Sequence, residues 1–590
     1  MTFGAFRSAV ILSQHVRPGR IHDAFPAPSY RPTQRQALDD IADAFADGAE
    51  VVLVRAPTGS GKSLLARAIC GCADRPDEVE PAVATGAYYT TPQVSQLDAV
   101  DEDPLLDDVA IIRGKRNYNC ILRDEHDTPV DRAPCARISG YDCRVMHRCP
   151  YFADRTIASQ RQIAGMTLAY FMQTAGSSVF GPRDVVVIDE AHGLSDWAEM
   201  YATIDLSDRT VPFWSEVSVP TDEDLDRFVR FADNLADRCR RRRDELSAQE
   251  TLSPADTAAR DRLNERIGEL EWFCRDYRDP DSPTTWVLDR AEERVTFKPL
   301  DPARFLHRTV WHRGNRFALL SATILDKAGF CRGAGLDPDR VALVDVPHRF
   351  PVDHRPLYDV TQGEMTMNHR EATLPDVART IVRIMARHPE EKGIVHCHSY
   401  GIQRSLASHL EDFGVGDRIR SHDRDDRDDR LATWLEQDRP LVFLSVTMEE
   451  ALDLEGDLAR WQVLCKAPFP NVGDPAVSAR LENDDWAWYY RTALRTVIQA
   501  CGRVVRSPDD HGATYLADSS LLKLFDRTRG VMPPWFDEQV DRMTSPSLPA
   551  FDPAGALAGL EVTPASTTTE KESPAPRRQR DHPLADVWGE

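Results

Sequence analysis

A short apolar strand, a glycine-rich loop and a helix follow one another between residues 51 and 68. Val51 to Val54 form a β-branched run that is typical of a buried parallel strand. Glycines let backbone amides turn around phosphate oxygens, and the start of the next helix adds positive charge. The pattern predicts a nucleotide phosphate site, in which Lys62 reaches the β- and γ-phosphates and Ser63 holds Mg²⁺. The predicted phosphate loop comprises Ala56, Pro57, Thr58, Gly59, Ser60, Gly61, Lys62 and Ser63.

Further apolar strands alternate with helical stretches along the chain. Short buried runs occupy residues 185–188, 317–320, 393–396 and 441–444. Strands that alternate with helices are typical of α/β domains with parallel sheets. A length of 590 residues suggests three to four domains. We therefore predict an α/β chain in which parallel sheets form the main domains.

Two acidic residues follow the strand at residues 185–188. Asp189 at the strand end suits a second Mg²⁺ ligand, and Glu190 suits polarising an attacking water. An acidic strand cap is the alternative, but the phosphate loop elsewhere in the chain favours a role in catalysis. His192 is either a surface histidine or a polar link from this site to a second domain, and we predict the link.

A basic helical segment lies far along the chain from Lys62. Arg503 and Arg506 are three residues apart, so they lie on one face of a helix. Guanidinium groups suit the charge that develops on a γ-phosphate during cleavage. We predict that both arginines belong to a second domain that closes over the nucleotide. A solvated basic helix face is the alternative.

Four of the twelve cysteines are concentrated within 30 residues, at Cys120, Cys135, Cys143 and Cys149. Four thiolates can hold either a [4Fe–4S] cluster or a structural zinc ion. The residues alone leave both metals open, together with unligated cysteines, and His147 lies among them as a spare ligand. The other cysteines are read as core residues.

Two other regions depart from the α/β pattern. Residues 200–300 are predicted to be helical, and Ser253 followed by Pro254 is typical of a helix start. The run from Arg240 to Arg243 within this region is either a basic contact or a solvated helix face. The tail from residue 545 is rich in Pro, Ser, Thr and Ala and is predicted to be disordered.

The charge of the chain is unusual for a protein with a phosphate site. Asp plus Glu total 95 against 72 Lys plus Arg, which gives a net charge of −23. Only eight of the basic residues are lysines. A salt-rich cytoplasm is one explanation, and a GC-rich genome is the other. The acidity excludes nucleic-acid binding by bulk charge, so any such site must be a local basic path. No apolar run approaches the roughly 18 residues of a membrane span, and we expect a cytoplasmic protein.

The ordered motifs resemble those of a superfamily 2 helicase of the DEAH type, and more narrowly the XPD/Rad3/DinG family of iron–sulfur DNA helicases. The resemblance covers residues 25–540. It is carried by the phosphate loop and Asp189 to His192, together with segments 30–34, 89–97, 114–120, 321–323, 467–470 and 499–506. By this resemblance the chain binds ATP, Mg²⁺ and a [4Fe–4S] cluster, translocates 5′ to 3′ on single-stranded DNA and unwinds duplexes in DNA repair. Its partners are DNA and repair proteins, and it acts as a monomer.

The resemblance also implies roles for individual residues. Gln34 would read the adenine, and Gln499 would join Arg503 and Arg506 at the nucleotide. Cys120, Cys135, Cys143 and Cys149 would hold the cluster. Asp453 would keep the role of the acidic residue in the fifth motif, although Ala451 replaces the glycine usual there. That replacement leaves room for a nucleic-acid-stimulated ATPase that translocates without unwinding. A weakly active scaffold for a repair partner is the other alternative.

The resemblance implies two RecA-like motor domains, with an iron–sulfur insertion and a helical arch-like insertion in the first. The predicted boundaries are an N-terminal segment at 1–24; first motor domain at 25–112, 156–200 and 305–330; iron–sulfur domain at 113–155; arch-like domain at 201–304; second motor domain at 331–544; and disordered tail at 545–590.

Overall fold

A computed structural model describes most of the chain. The described residues are 16–74, 85–138, 141–222, 224–249, 251–281, 285–291, 293–446, 456–505 and 507–560. They form two parallel sheets and one small antiparallel sheet. No helix among these residues combines the length and apolar character that crossing a membrane requires.

The strands of the described residues are numbered along the chain. They are β1 (Val51–Arg55), β2 (Ala87–Thr91), β3 (Val109–Ile111), β4 (Ile163–Thr167), β5 (Arg183–Asp189), β6 (Ile204–Leu206), β7 (Trp286–Ala291), β8 (Arg294–Pro299), β9 (Gly314–Ser321), β10 (Val341–Asp345), β11 (Leu357–Gly363), β12 (Gly393–His396), β13 (Ile419–Arg420), β14 (Val442–Ser445), β15 (Trp461–Leu464) and β16 (Ala513–Asp518).

The α-helices are numbered in the same way. They are α1 (Gln34–Ala46), α2 (Lys62–Cys70), α3 (Val94–Glu102), α4 (Pro134–Arg137), α5 (Pro150–Gln160), α6 (Leu168–Gln173), α7 (Leu194–Ala202), α8 (Leu225–Ser247), α9 (Pro254–Arg278), α10 (Ala303–Thr309), α11 (Lys327–Ala334), α12 (Arg370–Arg387), α13 (Tyr400–Asp412), α14 (Arg427–Glu436), α15 (Pro475–Glu482), α16 (Trp486–Cys501), α17 (Ser520–Thr528), α18 (Pro534–Asp541) and α19 (Pro553–Leu557).

The first sheet has seven parallel strands in the order β10-β1-β9-β5-β2-β4-β3. Its side chains alternate between two cores, so that Val52 and Val54 face one core while Val51 and Leu53 face the other. The second sheet has six parallel strands in the order β11-β16-β15-β12-β14-β13. Both sheets confirm the predicted α/β fold with two RecA-like domains. All five predicted strands are present.

Both predicted insertions interrupt the first sheet. The cysteine-rich segment lies between β3 and β4, which are neighbours in the sheet. The region between β5 and β9, also neighbours, holds the long antiparallel helices α8 and α9. Ser253 caps α9 as expected, because its hydroxyl accepts a hydrogen bond from the Asp256 amide at 3.1 Å. The region is not wholly helical, however, because β6, β8 and β7 form an antiparallel sheet beside these helices.

The predicted boundary at residue 331 is wrong. β10 pairs with β1 in parallel from Val341 to Asp345, so the first sheet extends past that point. Sequence reasoning missed this strand because its second and third residues are only partly buried and its last residue is exposed. The second domain therefore begins after β10, and its first strand is β11.

The tail prediction is also wrong for residues 545–560. The Arg383 guanidinium donates a hydrogen bond to the Pro549 carbonyl at 2.7 Å, and α19 packs on α12. Buried Arg418 donates to the Ala556 carbonyl at 2.7 Å. A few apolar residues suffice to anchor this segment because the second domain supplies the matching core. Residues 561–590 lie outside the described part of the chain.

Candidate nucleotide and cysteine sites

The phosphate loop joins β1 to α2. Gly59 and Gly61 adopt φ of +78° and +77°, a left-handed backbone that favours glycine. Buried Ala56 donates its amide to the Ser321 carbonyl at 3.0 Å, which ties the loop to the end of β9. The sheet order β1-β9-β5 brings the carboxyl ends of these strands together, where ligands bind in such sheets.

Gln34 supports this loop from α1. Its carboxamide is fully buried and donates to the Ser60 carbonyl at 3.0 Å and the Gly61 carbonyl at 3.4 Å. A Cβ on Gly61 would lie 2.3 Å from the Gln34 nitrogen, so only glycine permits this approach. Arg31 donates to the Gly59 carbonyl at 2.8 Å. The structure thus places Gln34 against the loop, and its reading of adenine stays a prediction.

The acidic pair lies directly opposite the loop lysine. The Lys62 ammonium is 2.9 Å from the Glu190 carboxylate. Glu190 has a φ of +49°, which is strained for a side chain with a Cβ. Asp189 ends β5 and accepts the Glu190 amide at 2.9 Å. The predicted grouping of Lys62 with both acids is therefore present.

The pKa values of the two acids shift in opposite directions. Burial raises the pKa of Asp189 and the Glu190 carboxylate adds to the rise, while Lys62 opposes both, so that the net pKa is about 6. Burial would also raise the pKa of Glu190, but the Lys62 ammonium and His192 outweigh it and hold that pKa well below its ordinary value. Glu190 is therefore the ionised base of the pair. A cation at Asp189 would relieve the mutual repulsion of the two carboxylates.

His192 links the acidic pair to the second domain, as predicted. Its Nδ1 lies 2.8 Å from the Ser321 hydroxyl and 3.3 Å from Glu190, and its Nε2 contacts the Gln499 carboxamide nitrogen. Arg495 donates to the His192 carbonyl at 3.1 Å. Gln499 thus meets the nucleotide site across the domain boundary.

The arginine segment follows Gln499 at the end of α16. A Cβ on Gly502 would lie 3.4 Å from the Thr58 hydroxyl, so this turn is in contact with the phosphate loop. Arg503 is the next residue and is 7% exposed. The predicted approach of this segment to the loop is present. Arg506 and Asp453 lie outside the described residues, so their roles remain predictions.

Two buried hydroxyls at the loop suit a ligand. The Ser60 and Tyr89 side chains are buried, and neither hydroxyl completes a hydrogen bond with any described residue. The Tyr89 hydroxyl lies beside Ser63, although the geometry falls short of a full bond. These two hydroxyls lie near the start of a helix, where a bound phosphate and its metal ion would supply the missing hydrogen-bond partners. The residues therefore fit ATP and Mg²⁺.

The four predicted cysteine ligands occupy one small segment. Cys120 lies in a hairpin where its amide donates to the Thr128 carbonyl at 2.9 Å, Cys135 lies in α4, and Cys149 caps α5. Cys120 and Cys149 are buried, Cys143 is partly buried and Cys135 is exposed. All four lie in the segment between β3 and β4, where the first and the last are 29 positions apart in the chain.

The neighbouring thiols shift the pKa of Cys135. Burial raises the pKa of Cys135, Cys143 raises it further, and Cys120 and Cys149 add smaller effects in the same direction. Sulfur donors that repel one another when ionised suit a cation. Within the described ranges, however, no three His, Cys, Asp or Glu side chains are close enough to hold a metal ion. The donor chemistry fits a metal cluster, and the present spacing is wider than ligation needs.

Three of the four arginines of the basic run in α8 pair with neighbouring acids. Arg240 pairs with Glu271 at 2.7 Å, Arg242 with Glu245 at 2.8 Å, and Arg243 with Asp244 at 2.6 Å. These partners are exposed or half-exposed, so the run matches the solvated helix face that was the alternative interpretation.

Sequence reasoning missed two residues of the nucleotide site. Arg495 precedes Gln499 by four positions on α16, so helical spacing alone would place both side chains on one face. Tyr89 has no such signal, because strand alternation gives only the face on which it lies.

Family comparisons match two segments of the chain. The helicase C-terminal domain family matches residues 381–539, and the DEAD_2 family matches residues 139–211. The second match contains the acidic pair at the end of β5. The first spans most of the second sheet and all of α16.

Known proteins resemble the chain along most of its length. The protein named ATP-dependent DNA helicase YoaA from Escherichia coli (strain K12) is 21% identical over 622 residues, covering 85% of this chain and 93% of that protein. Its namesake from Haemophilus influenzae is 20% identical over 452 residues, covering 63% and 67%. The solved structure of S. tokodaii Xpd4 is 16% identical with a TM-score of 0.53, covering 88% and 100%. A structure titled XPD helicase is 15% identical with a TM-score of 0.57, covering 85% and 98%.

Proposed function

Because this chain belongs to the XPD/DinG-like helicases of superfamily 2, we propose that it is an ATP-dependent DNA helicase. The observation that carries the proposal is the contact between His192 of the first domain and Gln499 of the second. It joins the acidic pair to the arginine segment across a cleft. Closing and opening such a cleft converts cleavage of a triphosphate into domain movement. That movement pulls one strand 5′ to 3′ and separates the duplex ahead of it.

Each residue of the cleft has a distinct task in this proposal. Lys62 binds the β- and γ-phosphates and keeps Glu190 ionised, so that Glu190 orients the attacking water. Ser63 and Asp189 would hold Mg²⁺, which neutralises phosphate charge when bound. Arg503 stabilises charge on the γ-phosphate from the second domain.

The four cysteines are proposed to hold a [4Fe–4S] cluster. Their thiols are the donors of such clusters, and their mutual influence on Cys135 supports one shared site. The bound cluster would fix a small segment as a rigid contact beside the DNA strand. Metal analysis separates this assignment from a structural zinc ion.

The net charge of the chain bears on how it binds DNA and on the cell in which it works. A net charge of −23 requires DNA to follow a local basic path. The same acidity suits a salt-rich cytoplasm. We infer a monomer that works with repair proteins.

Replacing Lys62 tests the proposal directly. Lys62→Ala should lower ATP turnover by a factor on the order of 10²–10³, because it removes a charge aimed at the transferred phosphate. The measurements are DNA-stimulated ATP hydrolysis and strand displacement on duplexes with a 5′ or a 3′ tail. Lys523→Ala is the control, because that lysine pairs with Glu364 on the exposed surface of the second domain.

The outcomes separate the alternatives. Hydrolysis without strand displacement would identify a translocase. Turnover that survives Lys62→Ala would exclude the proposed cleft, and wild-type protein without turnover would leave only a scaffold. Displacement of the 3′-tailed duplex alone would reverse the proposed polarity.

A further inference from the structure

Two adjacent tyrosines in β2 face opposite sides of the first sheet. Tyr88 packs in one core and Tyr89 in the other, because side chains alternate along a strand. Both are 1% exposed. The Tyr88 hydroxyl donates to the Gly181 carbonyl at 2.7 Å. The Tyr89 hydroxyl completes no hydrogen bond with any residue that the structure describes.

The surroundings of the Tyr89 hydroxyl are those of the nucleotide site. Burial raises the pKa of Tyr89 well above its ordinary value; Asp189, Cys70 and Glu190 act in the same direction, and Ser63 opposes them. Tyr89 pairs in register with Val187, two residues before Asp189, and its ring lies in the core that contains Leu65 and Ala66 of α2, the helix that carries Ser63. The hydroxyl therefore belongs to the surroundings of Ser63 and Asp189, the two residues assigned to Mg²⁺.

A buried hydroxyl without a partner destabilises the free protein, since it loses its hydrogen bonds to water. Phenylalanine would fill the same space without this cost. An unmet group of this kind is explained when a bound ligand completes its hydrogen bonds. Groups that hydrogen-bond to a metal ligand fix its orientation, and replacing them commonly lowers metal affinity or activity.

We propose that Tyr89 is a positioning residue that orients the Ser63 hydroxyl for the magnesium ion of the ATP complex. The inference rests on the proposed function, since it assigns Mg²⁺ to Ser63. The Tyr89 hydroxyl offers the Ser63 hydroxyl a hydrogen-bond partner and thereby fixes the direction of its lone pairs. The domain that closes over the site does not contribute to this contact, because β2, α2 and β5 all belong to the first domain.

Tyr89→Phe removes only the oxygen, and Tyr88→Phe is the matched control on the other face. The probe is a fluorescent ATP analogue, titrated with Mg²⁺ at fixed nucleotide, together with kcat, KM and the melting temperature of the free protein. Tyr89→Phe should raise the Mg²⁺ midpoint about three- to tenfold, as the loss of one hydrogen bond implies. It should lower kcat more than it raises the KM for ATP, and leave the melting temperature equal or higher. Tyr88→Phe should lower the melting temperature and leave the Mg²⁺ midpoint unchanged.

A double substitution shows whether the effect passes through Ser63. In a Ser63→Ala background, Tyr89→Phe should add no further shift in the Mg²⁺ midpoint. An unchanged midpoint in Tyr89→Phe, beside a wild-type protein that binds Mg²⁺ and ATP, overturns this inference and leaves the proposed function standing. Wild-type protein whose nucleotide binding ignores Mg²⁺ overturns both.

Discussion

One ion pair determines the charge state of the nucleotide cleft. Lys62 contacts Glu190 at 2.9 Å, and His192 contacts the other oxygen of the same carboxylate at 3.3 Å. The lysine therefore acts before any nucleotide arrives, because it keeps Glu190 ionised while burial favours the neutral form of Asp189. A triphosphate that binds Lys62 must compete with Glu190. The strained backbone of Glu190 marks the same residue as functional.

A single histidine outside the cleft makes stability depend on pH. Burial and, to a smaller extent, the charge of Arg355 together lower the pKa of His348 to about 3. Its ring lies 5.2 Å from the ring of Trp535, and its Nδ1 accepts the Phe350 amide at 3.1 Å. His348 thus stays neutral in the folded state, while it gains a proton near pH 6.5 when unfolded. His348 therefore leaves the free energy of unfolding unchanged above pH 6.5. Below that pH the free energy of unfolding falls, because only the unfolded state gains the proton.

Between pH 7 and pH 5 this histidine should cost the folded state about 2 kcal/mol. We expect His348→Phe to remove that part of the pH dependence. Denaturant unfolding at both pH values measures the difference between variant and wild type. An equal loss of stability in both proteins on acidification would assign the effect to other groups.

At the scale of elements, the helical insertion contacts the cysteine segment beside Cys135. Ile138 forms a β-bridge with Thr251, and the Leu252 amide donates to the Arg137 carbonyl at 3.1 Å. Arg260 of α9 donates to the Ala136 carbonyl at 3.2 Å. The four-residue helix α4 is too short to hold its position alone. Its geometry therefore depends on residues of the helical insertion that lie 113 to 124 positions further along the chain.

Cys135→Ser should remove iron and sulfide from anaerobically purified protein and abolish unwinding, while ATP binding survives. The expected reason is that a hydroxyl does not replace a thiolate as a cluster ligand. Iron and sulfide analysis, zinc analysis and strand displacement are measured together. Cys331→Ala, in a buried core position of the first domain, should retain the metal. Colourless wild-type protein with full unwinding activity would refute the cluster.

At the scale of the whole molecule, ion pairs hold the two motor domains together. Arg495 contacts Asp196 at 2.5 Å, and Arg480 lies 3.6 Å from Glu199. Lys298 of the inserted sheet contacts Asp474 of the second domain at 2.6 Å. Partly exposed pairs of this kind are weak and are screened by salt. Such contacts suit a boundary that must open and close in each cycle.

Arg495→Ala should loosen this boundary. Without nucleotide we expect a larger radius of gyration, which small-angle scattering measures. ATP turnover should be about two- to fivefold lower, since one such pair contributes up to about 1 kcal/mol. Arg379→Ala is the control, because the ion pair of Arg379 with Asp376 lies within α12, away from the domain boundary. A variant as compact and active as the control would show that the pair does not hold the domains.

The sequence by itself determined the local chemistry of the chain. The order of strand, glycine loop and helix, and the acids after β5, could be read without a structure because their spacing follows from backbone geometry. The parallel sheets were predicted for the same reason, whereas their division into two domains with two insertions followed from the family resemblance. The strand β10 and the segment at 545–560 were missed, because each is ordered by a neighbour that lies elsewhere in the chain.

Tertiary structure decided which of these residues meet. The approach of Gln499 to His192, the support of the loop by Gln34, and the hydroxyl of Tyr89 beside Ser63 all join separate elements. No periodicity encodes such contacts, since they depend on how sheets and domains pack. The sequence identifies the reactive residues. The distances between these residues and their charge states depend on the packing that buries them together.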